Sequence, residues 1–259
     1  MAAGLHYQEQ GPGDAPPLIL SAGLGGAGGY WTPNLPALAE SYRVIAYDHR
    51  GTGKSDPALS DPVTIAAMAQ DVVALMDAIG IGRACFMGHA LGGLIGLELA
   101  RLAPARLDKL IVVNGWAVTD PYTRRCFDAR LHILASGGPK AYLDAQPIFL
   151  FPAPWISENG ERLARETEAH LAHFQGEETL KKRIAAIAAF DARSWVGALT
   201  TPTLALASRD DMLVPWTASE RLAAANDHVS LSLMDGGGHA CNLTDPAQFN
   251  RIVLDFLRS

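Results

Sequence analysis

The chain has 259 residues, 49% of them hydrophobic, and a formal net charge of −6 at pH 7. This length suits one α/β domain with an insertion or two small domains, and the apolar content allows a large core. The acidic balance disfavours a nucleic-acid surface, and no stretch approaches the roughly 18 apolar residues of a membrane-spanning helix. The longest basic run, residues 181–183 (KKR), is interpreted as the solvated face of a helix.

The three cysteines, Cys85, Cys126 and Cys241, are far apart and form no C-x-x-C pair. Their odd number and spacing indicate free thiols in a reducing compartment. Residues 1–8 lack the basic start and apolar run of a signal peptide. We therefore expect a cytoplasmic protein whose partner is a small-molecule substrate, with neither nucleic acid nor membrane as a partner. A homodimer stays open.

Short apolar runs alternate with helical patterns along much of the chain. Six runs are interpreted as buried strands: residues 17–22, 42–48, 84–87, 110–114, 203–207 and 229–234. Residues 65–79 carry apolar side chains at helical spacing between the second and third runs. Such alternation predicts an α/β fold with a mostly parallel sheet that is covered by helices on both faces.

The alternation breaks between residues 117 and 196, where no strand pattern occurs. Helix-like patterns instead cover residues 123–135, 140–145, 161–175 and 178–190. We predict a core of residues 1–116 and 197–259, with a helical cap, residues 117–196, inserted in it. Such a cap would cover the carboxyl ends of the strands, where α/β proteins bind their ligands.

Ala90 occupies the centre of a motif that normally carries a catalytic serine. Residues 88–92 read GHALG, after an apolar run and before a helical pattern. This is the strand–turn–helix context of the nucleophile elbow, G-x-S-x-G, with both glycines kept and only the hydroxyl missing. Since a methyl group cannot attack a carbonyl, the chain does different chemistry, does none, or has had its serine replaced.

Two glycine-rich segments imitate nucleotide-binding motifs. Residues 23–28 (GLGGAG) match G-x-G-x-x-G, and Asp48 follows 20 residues beyond the last glycine. However, Pro33 and Pro36 keep a regular helix away from these glycines, so no helix N-terminus would face a pyrophosphate. Residues 51–55 (GTGKS) resemble the end of a phosphate loop, but Asp48 stands where the first glycine belongs and would repel phosphate. We expect no cofactor.

A carboxylate and a histidine follow the last two predicted strands. Asp211 lies just past the fifth strand, and His239 follows three glycines after the sixth. A carboxylate on such a loop is well placed to orient a histidine that acts as a base. The neighbouring Cys241 is interpreted as an inert buried thiol. The sequence has no cluster of potential metal ligands at a suitable spacing, so we expect no metal site.

The combination of motifs resembles the α/β-hydrolase superfamily over nearly the whole chain. Its elbow, acid and base come in that superfamily's order, at 90, 211 and 239. Several segments further resemble the RutD family of bacterial pyrimidine utilisation: residues 88–92, 114–116, 123–127, 145–147, 172–176 and 238–242. That resemblance implies hydrolysis of a carbamate, or of an aminoacrylate, late in uracil breakdown, and implies that alanine at the elbow is natural.

The resemblance also implies roles for backbone groups and cap side chains. The oxyanion hole would use the N–H groups of Leu24 and Leu91. In the cap, Arg124 and Arg125 offer guanidinium forks for a small anion, with a surface pair as the alternative. Asn114 and Trp116 end the fourth strand, where they would line a substrate pocket or pack under the cap.

The leading hypothesis is therefore a hydrolase in which His239 and Asp211 activate water without a serine nucleophile. Two alternatives stay open. One is a ligand-binding protein that has lost its activity. The other is a serine esterase or amidase carrying a serine-to-alanine replacement, which the codon for residue 90 in the native gene would reveal.

Overall fold

A computed structural model describes residues 1–259. Its single sheet has seven strands in the order β1-β3-β2-β4-β5-β6-β7. The strands are β1 (Tyr7–Gln10), β2 (Pro17–Ser21), β3 (Arg43–Tyr47), β4 (Ala84–His89), β5 (Leu107–Val113), β6 (Thr203–Ser208) and β7 (Val229–Met234). β1 pairs antiparallel with β3, and all the other neighbours are parallel. The α/β class and the six strands expected from the sequence are confirmed.

β1 is the strand that the apolar runs did not reveal. Its sequence is YQEQ, with one half-buried and three exposed residues. As an edge strand it pairs with β3 alone, from Tyr7 opposite Tyr47 to Gln10 opposite Val44. Backbone hydrogen bonds hold such a strand without a buried face, so its side chains carry no hydrophobic pattern.

Ten helices accompany the sheet: α1 (Leu35–Ala39), α2 (Ile65–Ala78), α3 (Leu91–Leu102), α4 (Pro121–Leu150), α5 (Ala153–Glu158), α6 (Gly160–Ala172), α7 (Glu177–Ala189), α8 (Trp216–Ala224), α9 (Cys241–Thr244) and α10 (Pro246–Arg258). Side-chain caps set three of their starts, one of them that of α4, where Asp120 accepts a hydrogen bond from the Tyr122 N–H at 2.8 Å. Thr64 accepts a hydrogen bond from the Ala67 N–H at 3.0 Å, and Asp245 accepts one from the Gln248 N–H at 3.0 Å. None of these helices is both long and apolar enough to cross a membrane.

Alternation along the strands divides the core into two layers. In β2, Ile19 packs in the layer that contains α2, α3 and α8, whereas Leu18 and Leu20 pack with α1 and α10. Successive strand side chains point to opposite faces, so both faces of the sheet are buried. The carboxyl ends of the parallel strands consequently meet along one edge of the sheet.

The helices α4 to α7 form an insertion between β5 and β6. Within α4 the chain leaves helical geometry at Gly138, where φ is +72°, and this kink separates the two helices expected on either side of it. The ends of the insertion pair with each other, through a bridge between Val118 and Asp191 and a hydrogen bond of 2.7 Å from the Ala192 N–H to the Ala117 carbonyl. We therefore propose a core of residues 1–116 and 197–259 and a cap of residues 117–196.

Candidate active site

Ala90 connects β4 to α3 in a strained backbone conformation. Its φ and ψ are 47° and −110°, a region that residues with a Cβ rarely adopt and that costs about 1–3 kcal/mol. Its N–H donates to the Val113 carbonyl at 2.8 Å, and its carbonyl accepts from the Leu94 N–H at 3.1 Å. The chain thus keeps the sharp turn of a nucleophile elbow although position 90 has no hydroxyl.

His239 and Asp211 form a buried pair at the carboxyl end of the sheet. The Nδ1 atom of His239 lies 2.7 Å from Oδ2 of Asp211. The other carboxylate oxygen accepts hydrogen bonds from the N–H groups of Leu213 and Val214 at 2.7 and 2.9 Å. Because the carboxylate is an acceptor, it places the histidine proton on Nδ1 and leaves the lone pair on Nε2. Nε2 makes no hydrogen bond within the protein, as a base that serves a substrate or water requires.

The loop that carries His239 is held from two directions. The His239 carbonyl accepts hydrogen bonds from His89 Nε2 at 2.8 Å and from Asn114 Nδ2 at 2.7 Å. The ring of His89 also lies against the ring of His239, with 4.5 Å between centroids. Since His89 immediately precedes Ala90, this contact brings His239 next to the elbow. Asn114 therefore holds the histidine loop, a role that its position after a strand did not reveal.

Trp116 is 1% exposed. It is the other residue predicted at the end of the fourth apolar run, which is β5 in the structure. It packs in the same core layer as Ala90, Leu91 and the inner residues of α4. Its Nε1–H has no hydrogen-bond partner in the protein. The indole is thus buried in the core layer that includes residues of both the core and the cap.

The two candidate oxyanion donors lie on separate elements. Leu91 is the first residue of α3, so its N–H has no acceptor within the helix. Leu24 lies on the loop after β2, and its carbonyl accepts hydrogen bonds from Gln175 Nε2 at 3.2 Å and Arg183 Nη1 at 3.3 Å. Both of these donors belong to the cap, so the cap anchors the loop that carries the Leu24 N–H.

Arg183 corrects the interpretation of the basic run KKR. Lys181 and Lys182 do lie on a solvated face, where they pair with Glu177 and Glu178 of the preceding turn. Arg183 is fully buried, and burial lowers the pKa of its guanidinium to about 10. A helix turns by about 100° per residue, so three consecutive basic residues cannot share one exposed face.

The glycine-rich segments serve the core fold. Asp48 accepts hydrogen bonds from the Gly28 N–H at 2.8 Å and the Lys54 N–H at 3.1 Å, which joins the two segments. The first α-helix after residues 23–28 begins only at Leu35. A cleft of about 490 Å³ adjoins these loops and cap residues 173–175, and its lining does not include Ala90, Asp211 or His239.

Comparison with known proteins agrees with this geometry. A family model described as "alpha/beta hydrolase fold" matches residues 16–151. The protein named "Putative carbamate hydrolase RutD" from Variovorax paradoxus (strain S110) is 50% identical over 254 residues, which cover 98% of this chain and 96% of that protein. Its namesake from Rhizobium rhizogenes is 47% identical over 257 residues, 98% of each chain.

The chain belongs to the RutD family of α/β-hydrolases. The enol-lactonase from Burkholderia xenovorans LB400 superposes on this RutD chain with a TM-score of 0.89 at 29% identity, covering 98% of this chain and 96% of that one. A hydrolase from Pseudomonas aeruginosa gives a TM-score of 0.88 at 30% identity, covering 98% and 94%. The resemblance inferred from the motifs is thereby confirmed for family and fold.

The structure of this RutD chain does not bring Arg124 or Arg125 into the site. Both are exposed on α4, and Arg124 donates to the Ala188 carbonyl at 3.3 Å. The buried face of this helix carries Cys126 and Phe127 and, one turn later, Arg130. Helical spacing sets this face, and an adjacent pair of arginines on the other side cannot reach it.

Cys241 is also unsuited to replace the missing serine. Burial raises the pKa of its thiol to about 12, with a further contribution from the nearby charge of Asp211. The thiolate is the nucleophilic form of cysteine, and it is scarce at neutral pH when the pKa is so high. The interpretation of Cys241 as a buried thiol agrees with these surroundings.

Two buried histidines are expected to make the folded protein less stable in acid. Burial lowers the pKa of His89 and that of His49 well below the usual range, helped by the neighbouring His239 and Arg183 respectively. When the pH falls below the unfolded-state pKa of about 6.5, the two histidines become protonated in the unfolded chain but stay neutral in the folded protein. Each histidine therefore lowers the free energy of unfolding by about 1.4 kcal/mol per pH unit as the pH falls below that value.

We expect His49→Gln to reduce this acid dependence between pH 6 and 5 in urea titrations. The exposed His132 supplies the matched control, and His132→Gln should keep the slope of the unmodified protein. Equal slopes for all three proteins would show that His49 takes up a proton in the folded state.

Proposed function

We propose that this RutD protein hydrolyses a small carbamate, or a related C–N compound, in pyrimidine catabolism. The names of its relatives support the substrate class. The observation that carries the reaction type is the buried His239–Asp211 pair beside an elbow without a hydroxyl. Such a site has a base and an orienting carboxylate but lacks the atom that would form an acyl-enzyme.

In the proposed reaction, Nε2 of His239 takes a proton from water while the hydroxide adds to the carbamate carbon. The negative charge that develops on the carbamate oxygen is stabilised by the Leu24 and Leu91 N–H groups. His239 then returns the proton to nitrogen, and the C–N bond breaks. Carbamate and water are thereby converted into ammonia and bicarbonate, with no net change in the protonation of the enzyme.

Asp211 keeps the base competent throughout this sequence. It orients the imidazole and stabilises the positive charge that forms when Nε2 is protonated. In serine hydrolases, the oxyanion hole and binding alone still give about 10³–10⁴-fold catalysis when triad members are removed. An acceleration of that size suits an unstable substrate such as a carbamate.

The direct test follows the decay of carbamate, prepared from ammonia and bicarbonate, by ¹³C NMR or by proton uptake. We expect the first-order rate to rise in proportion to protein concentration, and Asp211→Asn to remove most of the rise because the amide no longer fixes the histidine tautomer. A decay rate equal to that in buffer alone would exclude the enzyme and favour a binding protein.

Ala90→Ser tests whether the remaining machinery is that of a serine hydrolase. We expect this variant to react with p-nitrophenyl acetate in a burst of one equivalent and to gain the mass of one acetyl group, because the hydroxyl would stand next to His239. The unmodified protein should show neither effect. Acetylation of the unmodified protein at any residue of the site would contradict the non-covalent mechanism.

A further inference from the structure

Arg130 is a buried cation without an ionic partner. It lies on the inner face of α4 and is 4% exposed. Its Nη2 donates to the hydroxyl of Tyr142 and to Oε1 of Gln146, at 3.3 Å for the latter, and both are neutral groups. Its Nε–H is buried and has no hydrogen-bond partner at all. No carboxylate forms a salt bridge with it.

Other arginines show how unusual this is. Arg50 binds the carboxylates of Asp71 and Asp56, as a partly buried guanidinium normally does. Arg183 has no carboxylate either, but three oxygen acceptors surround it: the carbonyls of Leu24 and Arg50 and the side chain of Gln175. A buried charge with a free donor destabilises a fold, so Arg130 is costly unless another group binds it.

Aromatic rings hold the Arg130 guanidinium in place. Its Cζ lies 4.9 Å from the ring centroid of Tyr142, 5.6 Å from that of Phe149 and 5.9 Å from that of Phe127. These cation–π contacts orient the planar group without neutralising its charge. The guanidinium is therefore held in one orientation, with its Nε–H left without a partner and able to donate a charge-assisted hydrogen bond to an anion.

The walls of this aromatic box adjoin both loops of the candidate site. Phe127 follows Cys126, whose Sγ lies 3.6 Å from the carbonyl of Met212, the residue after Asp211. Phe149 precedes Leu150, whose carbonyl accepts a hydrogen bond of 3.0 Å from the N–H of Ala240, the residue after His239. The segment of α4 that carries Arg130 is thus tied, near both of its ends, to the loops that carry Asp211 and His239.

We propose that Arg130 binds the anionic group of the substrate, so that the site selects a small organic anion bearing a planar carboxylate-type group. This proposal specifies the charge of the substrate. It rests on the proposed function only for the reaction that the bound anion undergoes. The anion supplies the missing counter-charge and accepts the free Nε–H. Neutral amides and esters of the same shape leave the guanidinium unpaired and are bound weakly.

Acetate and acetamide test the charge directly, because the two are nearly the same shape and only acetate is an anion. Acetate also has the shape of carbamate. Binding is measured by calorimetry and by the rise in Tm, at constant ionic strength in chloride. We expect saturable binding of acetate and none of acetamide over the same range. Equal binding of the two probes, or no binding of acetate, would overturn the proposal.

Two variants and a matched control locate the binding group. Arg130→Met should weaken acetate binding by about 30-fold or more, the loss typical when one partner of a buried charged pair is removed. Arg130→Lys keeps the positive charge but loses the planar guanidinium. Its affinity for acetate should lie between that of the unmodified protein and that of Arg130→Met. Arg124→Met, an exposed position on the same helix, should bind acetate as the unmodified protein does.

The ligand-free Tm separates binding from folding. Replacing a buried, unpaired charge by an apolar side chain of similar size is often neutral or stabilising, so we expect Arg130→Met to be folded with an unchanged or higher Tm. A lower Tm with intact acetate binding would make Arg130 a structural residue and refute the proposal. Because these probes are not turned over, absence of carbamate hydrolysis would refute the proposed reaction and leave this result standing.

Discussion

Replacement of His239 by glutamine is expected to lower kcat for carbamate breakdown by about 10²–10⁴-fold. Glutamine can still fill the space and donate a hydrogen bond to Asp211, but it has no lone pair of comparable basicity to take a proton from water. The loss should appear in kcat rather than in KM, because the proposed role of Nε2 is to move a proton and not to bind the substrate.

The control for this variant is His132→Gln on the exposed face of α4. It makes the same chemical change away from the site and should keep the full rate. Retention of the full rate by His239→Gln would eliminate His239 as the base. Binding of acetate by His239→Gln, measured alongside, shows whether the variant still has a formed site.

The second large effect is expected at the elbow. Gly88→Ala should reduce the free energy of unfolding by at least about 3 kcal/mol. A Cβ at this position would overlap the carbonyl of Gly92 and the amide nitrogen of Gly93. Both are backbone atoms at the start of α3, which packs tightly on β4 and β5, so they cannot move aside without separating the helix from the sheet.

Urea titration measures this loss, with Gly13→Ala as the matched control. A Cβ on Gly13 has no atom within 4 Å, and its φ is not positive. Alanine there should be neutral or stabilise by up to about 1 kcal/mol. If Gly88→Ala were as stable as Gly13→Ala, β4 and α3 would have room for a Cβ at residue 88. That result would contradict their close approach beside Ala90.

The elements of the core could be predicted because each is encoded locally. Buried parallel strands appear as short apolar runs, and α2 shows helical spacing between two of them. The edge strand β1 was not predicted because its side chains are polar and it has no buried face. The elbow turn and the pairing of Asp211 with His239 could be expected because a tight turn demands glycines and the order of the motifs is specific.

Contacts between cap and core could not be predicted in this way. The sequence predicted anion-binding arginines at the adjacent pair Arg124 and Arg125, whereas the buried guanidinium groups are those of Arg130 and Arg183. Asn114 was expected to line a pocket or to pack under the cap, and the hydrogen bond from its amide to the His239 carbonyl was not predicted. Asn114 and Arg183 reach partners that are distant in sequence, and Arg130 meets Tyr142 and Gln146 only because α4 is kinked between them.

The sequence by itself determined the α/β class, the position of the helical insertion and the loss of one hydroxyl at residue 90, because apolar periodicity and turn glycines are local properties. Only the tertiary structure decided which arginines are buried, how the cap anchors the Leu24 loop and what holds the histidine loop. These depend on which face of each helix meets the core, and long-range packing sets that face.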